Sequence, residues 1–186
     1  MRNVIVSMMV TLDGYFAGPN GEIDWHVTGE EFNEYAIALL DSVDTLIFGR
    51  VTYSGMASYW PTPTALKNDP EVAGKMNELS KIVFSKTLDK VEWQNSRLIK
   101  EIDRSVIQKM KAQPGKDLAI FGSGSIVSAF TQLGLIDEYR LLYNPVVFGS
   151  GLRFFQDIKE RVHLHLFRTK IFKSGLALLD FRPAQP

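Results

Sequence analysis

Residues 118–125 read LAIFGSGS, an apolar run that passes directly into a turn of glycine and serine. The apolar residues predict a short strand that is covered on both faces, as the strands of parallel sheets are. Residues 126–133 favour a helix that ends at Gly134, so the stretch predicts a strand, a turn and a helix. Glycine removes the Cβ atom and the first N–H groups of a helix are unpaired, so the turn suits an anion such as pyrophosphate. Ordinary turn chemistry is the alternative, because the spacing is shorter than that of the G-x-G-x-x-G fingerprint.

A second strand-to-helix turn occurs at residues 48–52, which read FGRVT after an apolar run that begins at Thr45. Gly49 permits a tight turn, Arg50 adds a positive charge, and Thr52 is predicted to cap the next helix. A solvated arginine after a structural glycine is the alternative. Because ligands of α/β sheets bind beyond the carboxyl ends of the strands, two such turns on one sheet favour a phosphate-containing ligand at that edge.

A third turn follows the predicted strand KIVF, where Ser85, Lys86 and Thr87 offer two hydroxyl groups and one ammonium group. These groups suit a phosphate monoester. No carboxylate is present in this turn to bind the diol of a ribose, so a dinucleotide at this site is predicted to be NADPH rather than NADH. An ordinary surface lysine in a turn is the alternative for Lys86.

The segment of residues 11–25 is predicted to receive a flat ring. Its small residues Ala17 and Gly18 would let the ring lie against the backbone. Trp25 and Phe48 are predicted to wall a planar substrate pocket. Core packing is the alternative for Trp25.

Carboxylates near this segment belong to Asp13, Asp24 and Glu30. One of them is predicted to bind the substrate ring or to deliver a proton, with Asp13 and Glu30 as the catalytic candidates and Asp13 also as a substrate contact. Turn and cap roles are the alternative for each carboxylate. His163 and His165 share one face of a predicted strand without a supporting carboxylate pattern, so no metal site is predicted.

Short buried strands alternate with helices along the rest of the chain. Residues 4–10 predict a central strand, and a helix is predicted from about Gly29, with Thr28 as its cap. Residues 60–70 contain three prolines and predict a loop. The tail of residues 162–182 predicts two antiparallel strands, so the expected fold is α/β with a mixed, mainly parallel sheet and a C-terminal antiparallel hairpin.

Bulk composition limits the classes of function. The chain has 186 residues, which predicts one domain over residues 1–186, and 21 Lys and Arg balance 21 Asp and Glu. Without net charge, nucleic acid is disfavoured as the main partner. The absence of cysteine excludes disulfides and thiolate metal sites and suits a reducing cytoplasm. No apolar run approaches the roughly 18–20 residues of a membrane span, and the N-terminal run is too short for a signal peptide, so a soluble cytoplasmic protein is expected.

Taken in order and spacing, segments from nearly the whole chain resemble the dihydrofolate reductase-like superfamily. Within it they are most similar to the reductase of riboflavin biosynthesis, the RibD C-terminal-like group. The segments that carry the resemblance read SMMVTLDGYFA (7–17), FGRVTY (48–53), KIVFSKTL (81–88), FGSG (121–124), GLIDEY (134–139) and PVVFGSG (145–151).

The resemblance implies a three-layer α/β fold, NADPH as cofactor and a homodimer. It also implies separate roles for the three turns and a place for the nicotinamide. The residues concerned are Gly49, Arg50, Val51 and Thr52 for phosphates, Ser85, Lys86 and Thr87 for the 2′-phosphate, Gly122, Ser123, Gly124, Ser125 and Ile126 for the pyrophosphate, and Ala17 and Gly18 for the nicotinamide. Trp25 precedes Glu30 at the spacing that separates a tryptophan from the pterin-binding acid in dihydrofolate reductase, although the residues between them differ.

The resulting expectation is an NADPH-dependent reductase that passes a hydride to a flat heterocycle of the pyrimidine or pterin type. One alternative is a non-catalytic or regulatory module that binds NADP(H) with the same fold. Another alternative is a structural domain whose ligand is not a nucleotide. The substrate itself is not specified by the sequence.

Overall fold

Secondary structure is described here for residues 1–184 of a computed structural model. The strands are β1 (Val4–Thr11), β2 (Tyr15–Ala17), β3 (Val43–Gly49), β4 (Ser80–Phe84), β5 (Ser96–Ile99), β6 (Asp117–Phe121), β7 (Glu138–Asn144), β8 (Leu152–Arg153), β9 (Leu164–Ile171) and β10 (Ala177–Pro183). The helices are α1 (Glu30–Ser42), α2 (Arg50–Tyr59), α3 (Pro63–Asn68), α4 (Pro70–Glu78), α5 (Arg104–Ala112) and α6 (Gly124–Gln132).

Eight strands form one sheet in the order β5-β4-β3-β6-β1-β7-β10-β9. The first six are parallel to their neighbours, and β10 is antiparallel to both β7 and β9. The predicted mixed, mainly parallel sheet with a C-terminal antiparallel hairpin is therefore confirmed. Parallel strands point their carboxyl ends to the same edge, so the turns after β3, β4 and β6 all leave the sheet there.

Helices cover both faces of the sheet and bury two apolar layers. On one face, Ile107 of α5 and Phe130 of α6 pack against the buried side chains of β1 and β6. On the other face, Leu39 of α1, Tyr53 of α2 and Met76 of α4 pack against β3. This is the expected three-layer arrangement, and it explains why the central strands read as continuous apolar runs.

Acidic side chains tie the amino ends of the strands together. Asp117 accepts a hydrogen bond from the backbone N–H of Asn3 at 2.7 Å, and Asp137 accepts one from Val4 N–H at 2.7 Å. The ammonium group of Lys111 lies 2.6 Å from the same Asp137 carboxylate. The charges at this edge thus hold neighbouring strands in register.

Two predicted helix caps are wrong. Gly29, not Thr28, occupies the N-cap of α1, and no described side chain caps that helix. Thr52 lies inside α2, because the helix already begins at Arg50 with Gly49 as its N-cap. In both cases a glycine is the residue immediately before the first helical residue.

The proline-rich segment is not the predicted loop. Pro63 begins α3, whose N-cap Thr62 accepts a hydrogen bond from Ala65 N–H at 3.2 Å. Proline fits the first position of a helix, where its missing N–H would be unpaired in any case. None of the described helices is both long and apolar enough to cross a membrane.

A small second sheet was not predicted. It pairs β2 with β8, with Tyr15 opposite Arg153 and Ala17 opposite Leu152. The pairing places the segment after β1 against the segment after β7 at the carboxyl edge of the large sheet.

Candidate functional site

Four neighbouring strands of the sheet, β4, β3, β6 and β1, deliver the predicted turns to one edge. Gly49 is opposite Phe84 in the register, so the ends of β3 and β4 are level. β1 continues to Thr11, beyond Ser7, which is opposite Phe121, and the segment after β1 returns to the turns at Phe16, because a Cβ atom at Gly124 would lie 2.7 Å from the Phe16 ring. The three turns and the segment after β1 therefore form a continuous rim, although they are far apart in sequence.

The turns after β3 and β6 are joined to each other. The hydroxyl oxygen of Ser123 accepts a hydrogen bond from Gly49 N–H at 2.9 Å. Gly122 has a φ of +58°, and a Cβ atom there would lie 2.8 Å from Thr52 Cγ2. Glycine is thus required at position 122 for conformation and for space, and the two turns act as one unit.

The first N–H groups of α6 have no side-chain cap among the described residues. Ser123 is the N-cap residue, but its hydroxyl is bonded to Gly49 instead of to its own helix. By contrast, Asp103 caps α5 by accepting from Ser105 N–H at 2.7 Å. The first N–H groups of α6 and the positive end of its dipole are therefore available to bind an anion.

The turn after β4 is organised by its own serine. The hydroxyl oxygen of Ser85 accepts from Thr87 N–H at 3.2 Å and from Leu88 N–H at 3.0 Å. Lys86 is exposed on this turn, and Arg50 is exposed at the neighbouring strand end. Neither cation has a carboxylate within ion-pair distance in residues 1–184, so both are available to phosphate groups.

Ala17 and Gly18 lie where the small sheet meets this rim. Ala17 is buried in β2, and Gly18 donates its N–H to the Glu22 carbonyl at 2.9 Å. On the far side, a Cβ atom at Gly151 would lie only 2.5 Å from the Ala17 carbonyl oxygen, and Gly151 has a φ of +146°. The backbone of β2 is therefore supported closely from behind.

The predicted substrate residues are only partly brought together. Trp25 is half-buried, and its ring lies 5.2 Å from that of Phe148 at 69°. Glu30 is exposed as the first residue of α1. Phe48 is fully buried and stacks on Trp93 at 6.2 Å, so the prediction that it walls a pocket is wrong. Its place in the alternation of β3 turns its side chain into the core beneath α2.

Asp13 makes contacts that the sequence did not predict. Its carboxylate accepts the hydroxyl of Thr11 at 2.7 Å, Phe148 N–H at 3.1 Å and Gly149 N–H at 2.7 Å. Desolvation alone would raise the pKa of Asp13, but these hydrogen bonds together lower it to about 2. The carboxylate is ionised at neutral pH, so Asp13 is unsuited to deliver a proton there.

Two further groups were missed by sequence reasoning. Burial lowers the pKa of His26 to about 4, and its Nε2 atom has no hydrogen-bond partner among the described residues. The turn that contains Phe148 and Gly149 was also missed as a partner of Asp13. The high glycine content of residues 148–151 was the one available signal of a close approach.

A groove of about 1130 Å³ lies away from this rim. It runs between α2, α4 and the segment that follows β4, and shares only Thr87 with the predicted site. Its walls include Tyr53 and Trp93, which belong to the packed core. The rim contains the uncapped starts of α2 and α6 and the cations Arg50 and Lys86, none of which lines the groove.

The model of the RibD C-terminal domain matches residues 2–178. The chain belongs to that family. Two relatives from Bacillus subtilis strain 168 have full-length similarity, and both are described as uncharacterized proteins. YyaP is 33% identical over 97% of this chain and 94% of its own length, and YwjB is 30% identical over 95% and 96%.

Solved structures share the fold of this RibD C-terminal domain. A putative riboflavin biosynthesis protein of Shewanella sp. PV-4 has a TM-score of 0.76 at 21% identity, covering 98% of this chain and 99% of that one. Dihydrofolate reductase of Enterococcus faecalis, solved with NADP(H), has a TM-score of 0.66 at 16% identity, with coverage of 98% and 97%.

The deaminase/reductase of Thermotoga maritima has a TM-score of 0.69 at 17% identity. This chain is covered to 98%, but it spans only 57% of that bifunctional protein. These likenesses confirm the dihydrofolate reductase-like fold that the sequence predicted.

Proposed function

We propose that this protein is an NADPH-dependent reductase that transfers a hydride to a flat heterocycle of the pyrimidine or pterin type. The observation that carries the proposal is the joining of the turns at Gly49 and Ser123 at one edge of the sheet. Uncapped helix starts and the unpaired cations Arg50 and Lys86 adjoin this junction, and together they fit a ligand with several phosphates. Membership of the RibD C-terminal domain family supports a reductase of this kind.

In this proposal each part of the cofactor meets a different strand end. The start of α6 faces the pyrophosphate, the start of α2 faces a neighbouring phosphate, and Lys86 meets the 2′-phosphate. Ala17 and Gly18 lie beside the nicotinamide. The residues assigned to the cofactor are Ala17, Gly18, Gly49, Arg50, Val51, Thr52, Ser85, Lys86, Thr87, Gly122, Ser123, Gly124, Ser125 and Ile126.

Bound NADPH supplies the hydride and leaves as NADP⁺, while the substrate takes up one proton in addition. The backbone of β2 would orient the nicotinamide, and Trp25 would form one wall of the substrate pocket. Because the Asp13 carboxylate is ionised and already accepts hydrogen bonds from Thr11, Phe148 and Gly149, Glu30 is the remaining catalytic candidate, and solvent water is the alternative.

Binding is tested by fluorescence titration with NADPH and NADH. We expect saturable NADPH binding with a dissociation constant well below about 1 mM, and weaker NADH binding, because only NADPH carries the 2′-phosphate. Absence of saturable NADPH binding in that range would refute the proposal.

The proton donor is tested with Glu30→Gln, which keeps the shape of the side chain and removes its proton. If Glu30 donates the proton, kcat of the variant should be about 10²-fold lower than that of the wild-type protein, and the fall of kcat at high pH should disappear. Glu34→Gln is the matched control, since Glu34 is exposed one turn further along the same helix. Equal effects of the two variants would assign the proton to water.

A non-catalytic module that binds NADP(H) is the second candidate. It is favoured by the state of the Asp13 carboxylate, which is ionised, is bound to backbone N–H groups and therefore has no proton to deliver. Stoichiometric NADPH binding without oxidation across a panel of pterins, pyrimidines and carbonyl compounds would decide for this module.

We also propose a homodimer. The edge strand β9 is exposed on both faces, and its apolar residues Leu166, Phe167 and Ile171 are 44%, 37% and 69% exposed. Such an edge favours pairing with another chain. Sedimentation equilibrium should give twice the mass of one chain, and a monomer at micromolar concentration would contradict the proposal.

A further inference from the structure

Asp13 ties the turn after β1 to the turn that follows β7, 135 residues away. Its Oδ2 atom accepts Gly149 N–H at 2.7 Å and Phe148 N–H at 3.1 Å, while Oδ1 also lies 3.1 Å from Phe148 N and accepts the Thr11 hydroxyl at 2.7 Å. Hydrogen bonds to an ionised acceptor are about twice as strong as neutral ones. One carboxylate thus organises donors from two distant segments.

Other contacts hold the same two segments together. The Tyr15 hydroxyl donates to the Gly149 carbonyl at 3.2 Å, and Phe154 N–H donates to the Gly14 carbonyl at 2.9 Å. Gly151 packs directly behind Ala17, and β2 pairs with β8. Residues 11–18 and 146–154 consequently form one body, which includes the Ala17 and Gly18 backbone assigned to the nicotinamide.

The tie extends to the tryptophan of the substrate side. Phe148, whose N–H is bound by Asp13, has its ring against Trp25. Asn144, at the end of β7, accepts Val27 N–H at 2.7 Å. The loop that contains Trp25 therefore contacts both the end of β7 and the turn that Asp13 holds.

We propose that Asp13 is a positioning residue that latches the 146–151 turn beneath Ala17 and Gly18 and thereby sets the angle of Trp25. This inference rests on the proposed reductase function for its effect on turnover, but not for the latch itself. It replaces the sequence-based role of Asp13 as a proton donor and substrate contact. The latch acts at the ring-binding side of the rim and leaves the phosphate turns alone.

The test uses Asp13→Asn, which keeps the shape of the side chain. In the wild-type protein both carboxylate oxygens accept hydrogen bonds from Thr11, Phe148 and Gly149, whereas asparagine offers them one oxygen and one NH₂ group that cannot accept. Asp117→Asn is the matched control, because Asp117 also accepts a backbone N–H from a strand 114 residues away, at the opposite edge of the sheet. Both proteins are labelled with 5-fluorotryptophan and studied by ¹⁹F NMR without ligand.

We expect Asp13→Asn to move or broaden the Trp25 resonance while those of Trp60 and Trp93 stay in place. Amide exchange at Phe148 and Gly149 should speed up at least about tenfold, which corresponds to about 1.4 kcal/mol of local opening. Asp117→Asn should change neither. An unchanged Trp25 resonance together with unchanged exchange in Asp13→Asn would overturn the latch.

Turnover gives the second readout. Asp13→Asn should lower kcat about tenfold with the NADPH dissociation constant changed less than about threefold, because the phosphate turns do not contact Asp13. A loss of NADPH affinity equal to the loss of kcat would show a general structural role and contradict positioning. If the wild-type protein neither binds nor oxidises NADPH, the proposed function fails, while the NMR and exchange results still decide the latch.

Tyr15→Phe keeps the proposal testable if Asp13→Asn folds poorly. It removes only the hydroxyl bond to the Gly149 carbonyl. The same Trp25 shift and exchange changes should appear with smaller amplitude, and their absence would count against the latch.

Discussion

The phosphate turns and the substrate-side segment lie along the same edge of the sheet but have opposite chemistry. The turns after β3, β4 and β6 expose Arg50 and Lys86 and contain no carboxylate. The substrate-side segment of residues 11–30 includes no Lys or Arg, and its acids are Asp13, Glu22, Asp24 and Glu30. Arg153 of the paired strand β8 is the cation beside it, with its guanidinium carbon 5.6 Å from the centre of the Tyr15 ring. One half of the rim is prepared for an anionic ligand, whereas negative charges outnumber positive ones beside the other half.

The difference also concerns how each half is held. Ser123 and Gly49 join the phosphate turns through a hydrogen bond between uncharged groups. The partial positive charge at the helix starts therefore remains available to an anionic ligand. On the substrate side, the charge of Asp13 is already used to bind backbone N–H groups. A carboxylate close to a proposed site can thus belong to the scaffold that supports the site.

The largest expected effect comes from placing a negative charge among the phosphate turns. Ser125 is exposed in the first turn of α6, so Ser125→Asp adds an anion where the pyrophosphate is proposed to lie. NADPH affinity should fall at least about tenfold, or about 1.4 kcal/mol. The melting temperature should hold or rise, because an acid at a helix start is itself stabilising.

Ser125→Asn is the isosteric control and should change NADPH affinity less than about twofold. Gly124 is a poorer position for this experiment, because a Cβ atom there would lie 2.7 Å from the Phe16 ring. If Ser125→Asp bound NADPH as well as Ser125→Asn did, the pyrophosphate would not lie at α6.

A smaller and more selective effect is expected from Lys86→Met. The change should weaken NADPH binding about fivefold, because an exposed ion pair contributes up to about 1 kcal/mol. NADH binding should not change, since NADH lacks the 2′-phosphate. Titrations of both dinucleotides with both proteins would check this, and an equal loss for NADH would remove Lys86 from the 2′-phosphate site.

The smallest expected effect concerns the charge of the substrate. Because the acids of residues 11–30 outnumber Arg153, the cation beside them, a phosphorylated heterocycle should have a lower kcat/KM than its unphosphorylated counterpart, by about two- to threefold. Added salt should reduce the difference, since it screens the repulsion between exposed charges. A preference for the phosphorylated compound that salt weakens would show that cations from elsewhere reach the substrate.

The strands and helices were largely predictable because their signals are local. The apolar run of residues 118–121 and the glycines that follow it gave β6 and the turn before α6. The errors occurred where a boundary depends on the backbone of a neighbour. Thr52 has the right side chain for a cap, yet it packs against Gly122 from a distant turn, and the helix begins earlier.

The substrate side was less predictable for a similar reason. Phe48 lies next to the turn at Gly49 in sequence, but strand alternation turns its ring into the core. Asp13 was predicted as a site residue from its neighbours in the chain, whereas its hydrogen-bond partners Phe148 and Gly149 belong to another segment. Proximity in the sequence does not specify which face of a strand, or which distant loop, a side chain meets.

The amino-acid sequence alone predicted most of the strands and helices, although neither α3 nor the small β2–β8 sheet, together with the three turns proposed for phosphates and the resemblance to reductases of this fold. Each of these follows from residues that are neighbours in the chain, through apolar periodicity, glycine conformation and local charge. Only the tertiary structure decided that Ser123 binds the turn at Gly49, that Phe48 is buried and that Asp13 latches a turn 135 residues away. Those outcomes depend on which strands become neighbours in the sheet, and that is settled by the packing of the whole core.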